Sequence, residues 1–137
     1  MKNINLNSDI GEGFGVYDIG NDTEMLKIVN SANIACGFHA GDPNVMDRVL
    51  KQSIKNGVSI GAHPGFNDLW GFGRRQIHMS TDEIEASVAY QIGALQAISA
   101  TNNAIVTHVK PHGALNNMSS LDPAIASAIA RGVNLVD

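Results

Sequence analysis

Four β-strand patterns along the chain each end in a short polar cluster rich in glycine, and these clusters hold most of the reactive side chains. They cover residues 7–13, 37–43, 61–65 and 108–113. A helical pattern follows each cluster, and this repeated order predicts an α/β fold with a parallel sheet and right-handed crossovers. The C-terminal ends of parallel strands meet at one rim of the sheet, where barrel enzymes build their active sites. We therefore expect the clusters to lie side by side.

The number of strand and helix units limits what 137 residues can build. We expect residues 1–137 to form one domain, since this length is ordinary for a single domain. Four units are half of the roughly eight in a closed barrel, which predicts a partial (β/α) barrel. A half barrel would leave two strand edges and one apolar sheet face uncovered, and open edges invite pairing. We expect a homo-oligomer, a piece of a larger fold or a marginal monomer.

Charge and hydropathy exclude several classes of protein. A net charge of -4 argues against a general nucleic-acid-binding protein, which normally carries a basic face. No apolar run reaches the length of a membrane span, and the N-terminus opens into a strand pattern without a signal-peptide core. The single cysteine, Cys36, cannot form an internal disulfide and has apolar neighbours, as a small buried side chain does. We expect a cytoplasmic location.

Hydrophobic periodicity and capping residues give approximate bounds for the elements. The strands are expected near residues 3–7, 33–37, 58–62 and 104–109, with a first helix near 22–30. Three later helix starts are predicted by Asp42-Pro43, by a capping box from Ser80 to Glu83, and by Asp122-Pro123. Gly57 can end the first of these helices, and the second can run to about residue 101. Residues 63–79 form a long loop, and such loops are usually functional.

Asp9 and Glu12 form a carboxylate pair just beyond the first predicted strand. At that position they can bind a metal, act as a general base or orient a nucleophilic water. The alternative is turn chemistry, because aspartate and glycine are common in turns.

His39 and His63 follow the second and third strands. Histidine is the commonest acid, base and metal ligand near neutral pH. With Asp9 these residues make an Asp/His/His set that suits a divalent metal. They can equally be structural histidines that bind loop carbonyls.

His108, Lys110 and His112 alternate along the end of the fourth strand, so they share a face while the strand lasts. Lys110 and His112 are the better functional candidates, because a lysine at a desolvated rim can have a depressed pKa or can hold an anion. His108 is nearer the core and is expected to be structural. A solvated strand end is the alternative for all three.

Arg74 and Arg75 lie in the long loop, beside Gly71 and Gly73. Two arginines on a glycine hinge can clamp phosphate or carboxylate, or they can be ordinary solvated charges. The chain has no Walker A loop, so a nucleotide would have to bind in another way.

Together these clusters resemble the LamB/YcsF family of 5-oxoprolinase A subunits. The matching stretches are residues 5–15, 33–43, 61–66, 71–75 and 108–115. The resemblance covers nearly the whole chain in order, although the family usually has about twice this length. It implies four βα units of a deformed TIM-like barrel, similar to the glycoside hydrolase/deacetylase superfamily. The chain would then be the N-terminal half of that barrel.

The resemblance also implies a reaction, the ATP-dependent opening of the lactam of 5-oxo-L-proline to L-glutamate, with B and C subunits as partners. ATP is then the co-substrate. A divalent metal is a candidate cofactor from the residues themselves, through the Asp/His/His set described above. The expected catalytic residues are Asp9, Glu12, His39, His63, Lys110 and His112. Candidates for binding substrate or phosphate are Asn7, Arg74, Arg75 and Asn116, and the candidate metal ligands are Asp9, His39 and His63. Asn116 stands where many relatives have tyrosine.

Two other functions fit the same residues. One is a metal-dependent hydrolase of the deacetylase kind, built on the same rim. The other is a catalytically incomplete chain that only binds partner proteins.

Overall fold

In the part of the chain that the structure describes, four parallel strands form one sheet, in which each strand pairs with the next in sequence. The computed structural model describes residues 4–137. The strands are β1 (Asn7–Ile10), β2 (Ser31–Ala35), β3 (Ser59–His63) and β4 (His108–Val109). Because β2 pairs with β3 from Ser31 opposite Ser59 to Ala35 opposite His63, the strand ends are level and the segments that follow them meet at one rim. The predicted α/β fold with a parallel sheet is confirmed.

Within the described residues, five helices connect and follow the strands: α1 (Asp22–Met25), α2 (Pro43–Lys55), α3 (Thr81–Thr101), α4 (Gly113–Ser119) and α5 (Pro123–Asn134). The predicted helix starts are confirmed. Asp42 caps α2 by accepting hydrogen bonds from the backbone of Asn44 and Val45. Ser80 and Glu83 form the capping box of α3, in which each side chain accepts from the other residue's backbone N–H.

One face of the sheet is apolar and packs against the helices. Ile10, Ile34 and Ala62 are almost fully buried on this face, together with Val49 of α2 and Leu95 of α3. Burying a valine, leucine or isoleucine side chain stabilises the fold by about 1.5–3 kcal/mol relative to leaving it exposed. This face therefore supplies the core that holds the rim in place.

The opposite face of the sheet carries polar side chains. Asn7 and Asp9 of β1 share it with Ser31 and Asn33 of β2, because residues two apart in a strand point the same way. The expectation of an uncovered apolar face is therefore wrong. The apolar face lies under the helices, and the polar side chains of the other face bond to one another. Asn33, for example, donates to both Asn7 Oδ1 and Asp9 Oδ1.

Several predicted bounds were wrong. The first strand was predicted to end near residue 7, but β1 begins at Asn7 and therefore includes Asp9. The start of the predicted strand, residue 3, lies outside the described residues. The fourth strand is two residues long, because only His108 and Val109 pair with β3. The short helix α4 was not predicted, and the last helix runs to Asn134. Within residues 4–137, no helix combines the length and apolar character needed to cross a membrane.

Candidate functional site

Glu12 lies among three histidine rings at the C-terminal rim of the sheet. Its Oε1 atom is 3.0 Å from His39 Nε2 and 3.4 Å from His112 Nδ1. The same oxygen is 3.7 Å from His63 Nε2. Each of the four residues belongs to a different strand end, and Gly11 allows the sharp turn after β1 with its φ of 74°. The rings are buried, while the Glu12 side chain is 18% exposed and keeps access to solvent.

Backbone carbonyls fix the orientation of two rings. His63 Nδ1 lies 2.5 Å from the carbonyl oxygen of Lys110, and His112 Nε2 lies 2.8 Å from that of Phe72. A carbonyl oxygen only accepts hydrogen bonds, so these outer nitrogens carry the hydrogens. The inner nitrogens, His63 Nε2 and His112 Nδ1, face each other at 3.0 Å.

The third ring, His39, stacks on His112 with ring centroids 3.7 Å apart. Its Nε2 atom bonds Glu12, whereas its buried Nδ1 atom has no hydrogen-bond partner among the described residues. Two glycines allow the surrounding loops to approach closely: a Cβ on Gly65 would lie 2.7 Å from His39 Nδ1, and one on Gly73 would lie 2.6 Å from His39 Cβ. Small residues in the 65–73 loop are therefore needed to accommodate this ring.

Asp9 and Lys110 form an ion pair beside the histidines. The Lys110 ammonium donates to Asp9 Oδ1 and Oδ2 at 2.7 and 2.8 Å. Asn33 donates to Asp9 Oδ1 at 2.8 Å, and Asp9 Oδ2 lies 3.4 Å from His63 Nε2. His108 Nε2 is 3.0 Å from Asn33 Oδ1. This contact helps to hold Asn33 in place, in agreement with the structural role expected for His108.

The protonation states follow from burial and contacts. Burial raises the pKa of Asp9, but hydrogen bonds with His63, Lys110 and Asn33 outweigh it and hold that pKa well below its usual range. For Glu12, burial again raises the pKa, and the contact with His39 outweighs this effect and lowers it. Burial lowers the pKa of His39. Burial, together with the repulsion that a protonated His39 would exert, lowers the pKa of His112 to about 4. Near neutral pH both carboxylates are ionised and these two rings are neutral.

Two openings reach the cluster from different sides. A pocket of about 440 Å³ ends at Glu12 and His39 and has apolar walls that include Phe14, Leu69 and Trp70. A second pocket of about 300 Å³ is polar. Its lining includes Asp9, His63, Arg74, Lys110, His112 and Asn116. A ligand in either pocket can therefore touch the histidine cluster.

A family model described as the LamB/YcsF family matches residues 4–137. The chain belongs to the LamB/YcsF family. Two curated relatives are both named as the A subunit of 5-oxoprolinase. The protein from Natranaerobius thermophilus is 56% identical over 100% of this chain and 53% of its own length. The one from Geobacillus kaustophilus is 57% identical, with the same two shares.

A solved structure has the same fold as this chain. The crystal structure of a lactam utilization protein from Thermus thermophilus superposes with a TM-score of 0.97 and 45% sequence identity. The match covers 99% of this chain and 55% of the Thermus chain. The chain therefore spans about half the length of these similar proteins.

The structure brings together the six residues that the LamB/YcsF resemblance implied as catalytic, and their roles stay predictions. Of the four predicted binding residues, Arg74 and Asn116 line the polar pocket. Arg75 is less free to bind a ligand, because its Nε and Nη2 atoms donate to the carboxylate of Asp68. Asn7 lies lower on the sheet and bonds Ser31 and Asn33, so it belongs to the polar face and lines neither pocket.

The side chains best placed to hold a metal differ from the set expected from the sequence. Glu12, His39, His63 and His112 offer ligand atoms that all lie within 4.8 Å of one another. Asp9, one of the three expected ligands, is not in this group, and Lys110 contacts both its oxygens. Imidazole and carboxylate together form a donor set that suits a divalent transition metal.

Sequence reasoning missed several residues that shape the site. Asn33 is fully buried and joins Asp9 to His108, and a polar residue within an otherwise apolar strand was the available signal. Phe72 supplies the carbonyl that orients His112, and no sequence pattern announces a backbone contact of this kind.

Proposed function

We propose that this chain is the N-terminal part of the A subunit of an ATP-dependent 5-oxoprolinase and takes part in opening 5-oxo-L-proline to L-glutamate. One observation carries the proposal: a carboxylate oxygen of Glu12 lies within 3.7 Å of three buried imidazoles, beside the Asp9–Lys110 ion pair. The names of the similar curated proteins and of the similar Thermus protein also support a role in lactam hydrolysis.

Ring opening is hydrolysis of an unstrained amide. The oxygen of water bonds to the lactam carbonyl carbon, the C–N bond breaks, and a proton from water ends on the ring nitrogen. The reaction needs a base for the water, a positive group for the developing oxyanion and an acid for the leaving nitrogen. The cluster offers carboxylates, imidazoles and an ammonium group within one small volume.

ATP makes the poor electrophile reactive. Transfer of the γ-phosphoryl group to the lactam oxygen gives ADP and a phosphorylated lactam. Addition of one water and cleavage of the C–N bond then gives γ-glutamyl phosphate, and a second water releases glutamate and phosphate. In this proposal ATP is the co-substrate of the complete enzyme, and the cluster acts on the activated lactam.

The roles we assign follow from contacts. Glu12 receives the proton of the attacking water, and His63 and His112 orient that water through their inner nitrogens. Lys110 stabilises the negative charge of the phosphoryl group on the lactam oxygen, with Asp9 holding the ammonium in place. Arg74 and Asn116 line the polar pocket and are suited to the substrate carboxylate. His39 positions Glu12.

We extend the proposal to the assembly. The chain would be the first four βα units of a deformed TIM-like barrel, with its polar sheet face towards the barrel interior. The shared parallel order of β1 to β4 and the half-length match to the relatives support this view. B and C subunits would complete the enzyme in the cytoplasm, where ATP is available. The open edges at β1 and β4 favour self-association of the isolated chain.

A second candidate is a metal-dependent amide hydrolase of the deacetylase kind, favoured by the grouped donors of Glu12, His39, His63 and His112. The two candidates differ in their need for ATP. Amide hydrolysis without ATP would support the second candidate, whereas oxoproline-dependent ATP turnover would support the first.

The experiment is an assay of glutamate release from 5-oxo-L-proline and ATP, with the B and C subunits of Geobacillus kaustophilus present. The chain is tested alone and as a chimaera, in which residues 1–137 replace the matching part of the Geobacillus protein. Release by the chimaera, lost with Lys110→Met and kept with His78→Asn at an exposed position, supports the proposal. A folded chimaera that binds B and C but releases no glutamate contradicts it.

A further inference from the structure

Two hydrogen-bond acceptors face each other inside the histidine cluster. The outer nitrogens of His63 and His112 donate to backbone carbonyls, so in the neutral form of each ring the inner nitrogen carries a lone pair. These inner atoms, His63 Nε2 and His112 Nδ1, lie 3.0 Å apart. Two facing lone pairs at this distance repel each other, so the arrangement calls for a positively charged species between them.

Glu12 adds a third acceptor to the same space. Its Oε1 atom lies 3.4 Å from His112 Nδ1 and 3.7 Å from His63 Nε2. By plane geometry, the point equidistant from the three atoms lies about 2.0 Å from each, which matches the distances of about 2.0–2.2 Å that zinc keeps to imidazole and carboxylate. A single ion at the centre of this triangle would turn three unfavourable contacts into three bonds.

His39 has a different role in this arrangement. Its Nε2 atom lies 3.0 Å from Glu12 Oε1, and a neutral ring donates there through Nε2–H. This contact holds the carboxylate in position. The carbonyls of Lys110 and Phe72 do the same for His63 and His112. Metal ligands are commonly held by outer partners of this kind, whose loss weakens metal binding.

The surroundings leave room for further ligands. The polar pocket of about 300 Å³ reaches His63 and His112 directly. Glu12 also lines the apolar pocket. Catalytic zinc sites likewise combine three protein ligands with an open position for water or substrate, and two histidines with one glutamate is one of their known sets.

We propose that Glu12, His63 and His112 bind one divalent transition-metal ion of the zinc type, with His39 positioning Glu12. This inference rests on the metal-dependent candidate described above, because side chains that hold the ion would not act directly on water. Asp9 stays outside the coordination sphere, because both its oxygens bond Lys110. The ligand set differs from Asp9, His39 and His63, which the sequence suggested, and shares only His63 with it.

The test uses the 137-residue chain after treatment with a chelator. Zn²⁺ is titrated by calorimetry and Co²⁺ by visible absorption. We expect one ion per chain and cobalt bands typical of four- or five-coordinate nitrogen and oxygen ligands. No lactam or ATP is present, so the result is separate from that of the ring-opening assay.

Two substitutions remove a metal ligand but keep the hydrogen bond to the backbone carbonyl that orients it. In His63→Asn the amide nitrogen replaces Nδ1 and can still donate to the Lys110 carbonyl. In His112→Gln it replaces Nε2 and can still donate to the Phe72 carbonyl. Each should weaken binding by more than the roughly 10–100-fold that follows loss of an outer partner, which is the loss expected for His39→Leu, because leucine cannot donate to Glu12. His78→Asn, at an exposed position, should bind like the unchanged chain.

A measurement on the unchanged chain keeps the proposal testable if a variant fails to fold. Ring-nitrogen NMR should show Zn²⁺ shifting His63 Nε2 and His112 Nδ1, while the nitrogens of His108 stay unchanged. The proposal is overturned if no ion binds at millimolar concentration, or if folded His63→Asn and His112→Gln bind as tightly as the unchanged chain. It is also overturned if a proton, seen on one inner nitrogen in the presence of Zn²⁺, holds the two rings together.

Discussion

The imidazole rings of His39 and His112 stack face to face, with centroids 3.7 Å apart and 5° between their planes. His39 follows β2 and His112 follows β4, so the stack joins two strand ends that are not neighbours in the sheet. Gly73 lies against both rings. A Cβ at that position would come within 2.6 Å of His39 Cβ and 3.0 Å of His112 Cδ2. The stack therefore depends on the absence of a side chain at residue 73.

Gly73→Ala should destabilise the chain and disturb the cluster. Gly73 has a φ of 62°, which costs about 1–3 kcal/mol for a residue with a side chain, and the added methyl must also displace a ring. Urea unfolding measures the loss. Gly93→Ala is the matched control: apart from the adjacent backbone of α3, no atom of residues 4–137 lies within 4 Å of its Cβ position, so it should gain about 0.5–1 kcal/mol. Equal stability of the two variants would contradict the packing described for Gly73.

Asp42 ties the loop after β1 to the start of α2. Its Oδ1 atom accepts from the backbone of Asn44 and Val45, and Oδ2 accepts from Gly15 N at 2.7 Å. Asp42→Ala should cost about 0.5–2 kcal/mol, the usual range for loss of an N-cap. Asp122→Ala at α5 is the control, because among residues 4–137 Asp122 accepts only from Ala124. We expect a smaller loss there in a urea titration.

The contribution of Asp42 should depend on pH. Slight burial raises its pKa, but hydrogen bonds from Val45, Gly15 and Asn44 outweigh this and lower it. Since the folded-state pKa is below the unfolded value of about 3.9, the stabilisation is full above that value. It is lost as the pH falls through the folded pKa. The stability difference between unchanged chain and Asp42→Ala should therefore shrink below about pH 4. A constant difference from pH 7 to pH 2 would count against this interpretation.

Arg74 and Arg75 are neighbours with different expected effects. Arg75 bonds the buried carboxylate of Asp68, which also accepts from Gly71 N. Arg75→Ala should lower the melting temperature, because it leaves that carboxylate without its cation. Arg74 lines the polar pocket beside Lys110, so Arg74→Ala should keep the melting temperature and weaken binding of 5-oxo-L-proline to the chimaera. Thermal melts and calorimetric titration separate the two, and the reverse pattern would show that the assignments are wrong.

The helices were predictable because their signals are local. Asp42-Pro43, Ser80 with Glu83, and Asp122-Pro123 begin helices in the structure as the sequence indicated, since capping requires only residues a few positions apart. The short helix α4 escaped prediction: it begins at Gly113 with a φ of 51° and contains Asn116 and Asn117, which favour helices weakly. Its formation depends on tertiary packing of Ala114 and Leu115, which are buried.

The strands were less predictable because their bounds depend on their partners. β1 continues to Ile10, since Asp9 and Ile10 pair with Asn33 and Ile34. The polar face was visible in the alternation of Asn5, Asn7 and Asp9, although the prediction treated it as apolar. The bond between Lys110 and Asp9 joins residues 101 positions apart. The predicted topology placed both residues at the same rim, but only the structure shows that they are in direct contact.

Glutamate release by a Glu12→Gln chimaera tests the central claim most directly, namely that the cluster around Glu12 carries ring opening. With the B and C subunits, 5-oxo-L-proline and ATP present, the unchanged chimaera should release glutamate. The Glu12→Gln variant should be slower by at least about 100-fold, the lower end for loss of a general base. His78→Asn should keep the full rate. A Glu12→Gln chimaera that melts like the unchanged one and releases glutamate at an undiminished rate would contradict the account.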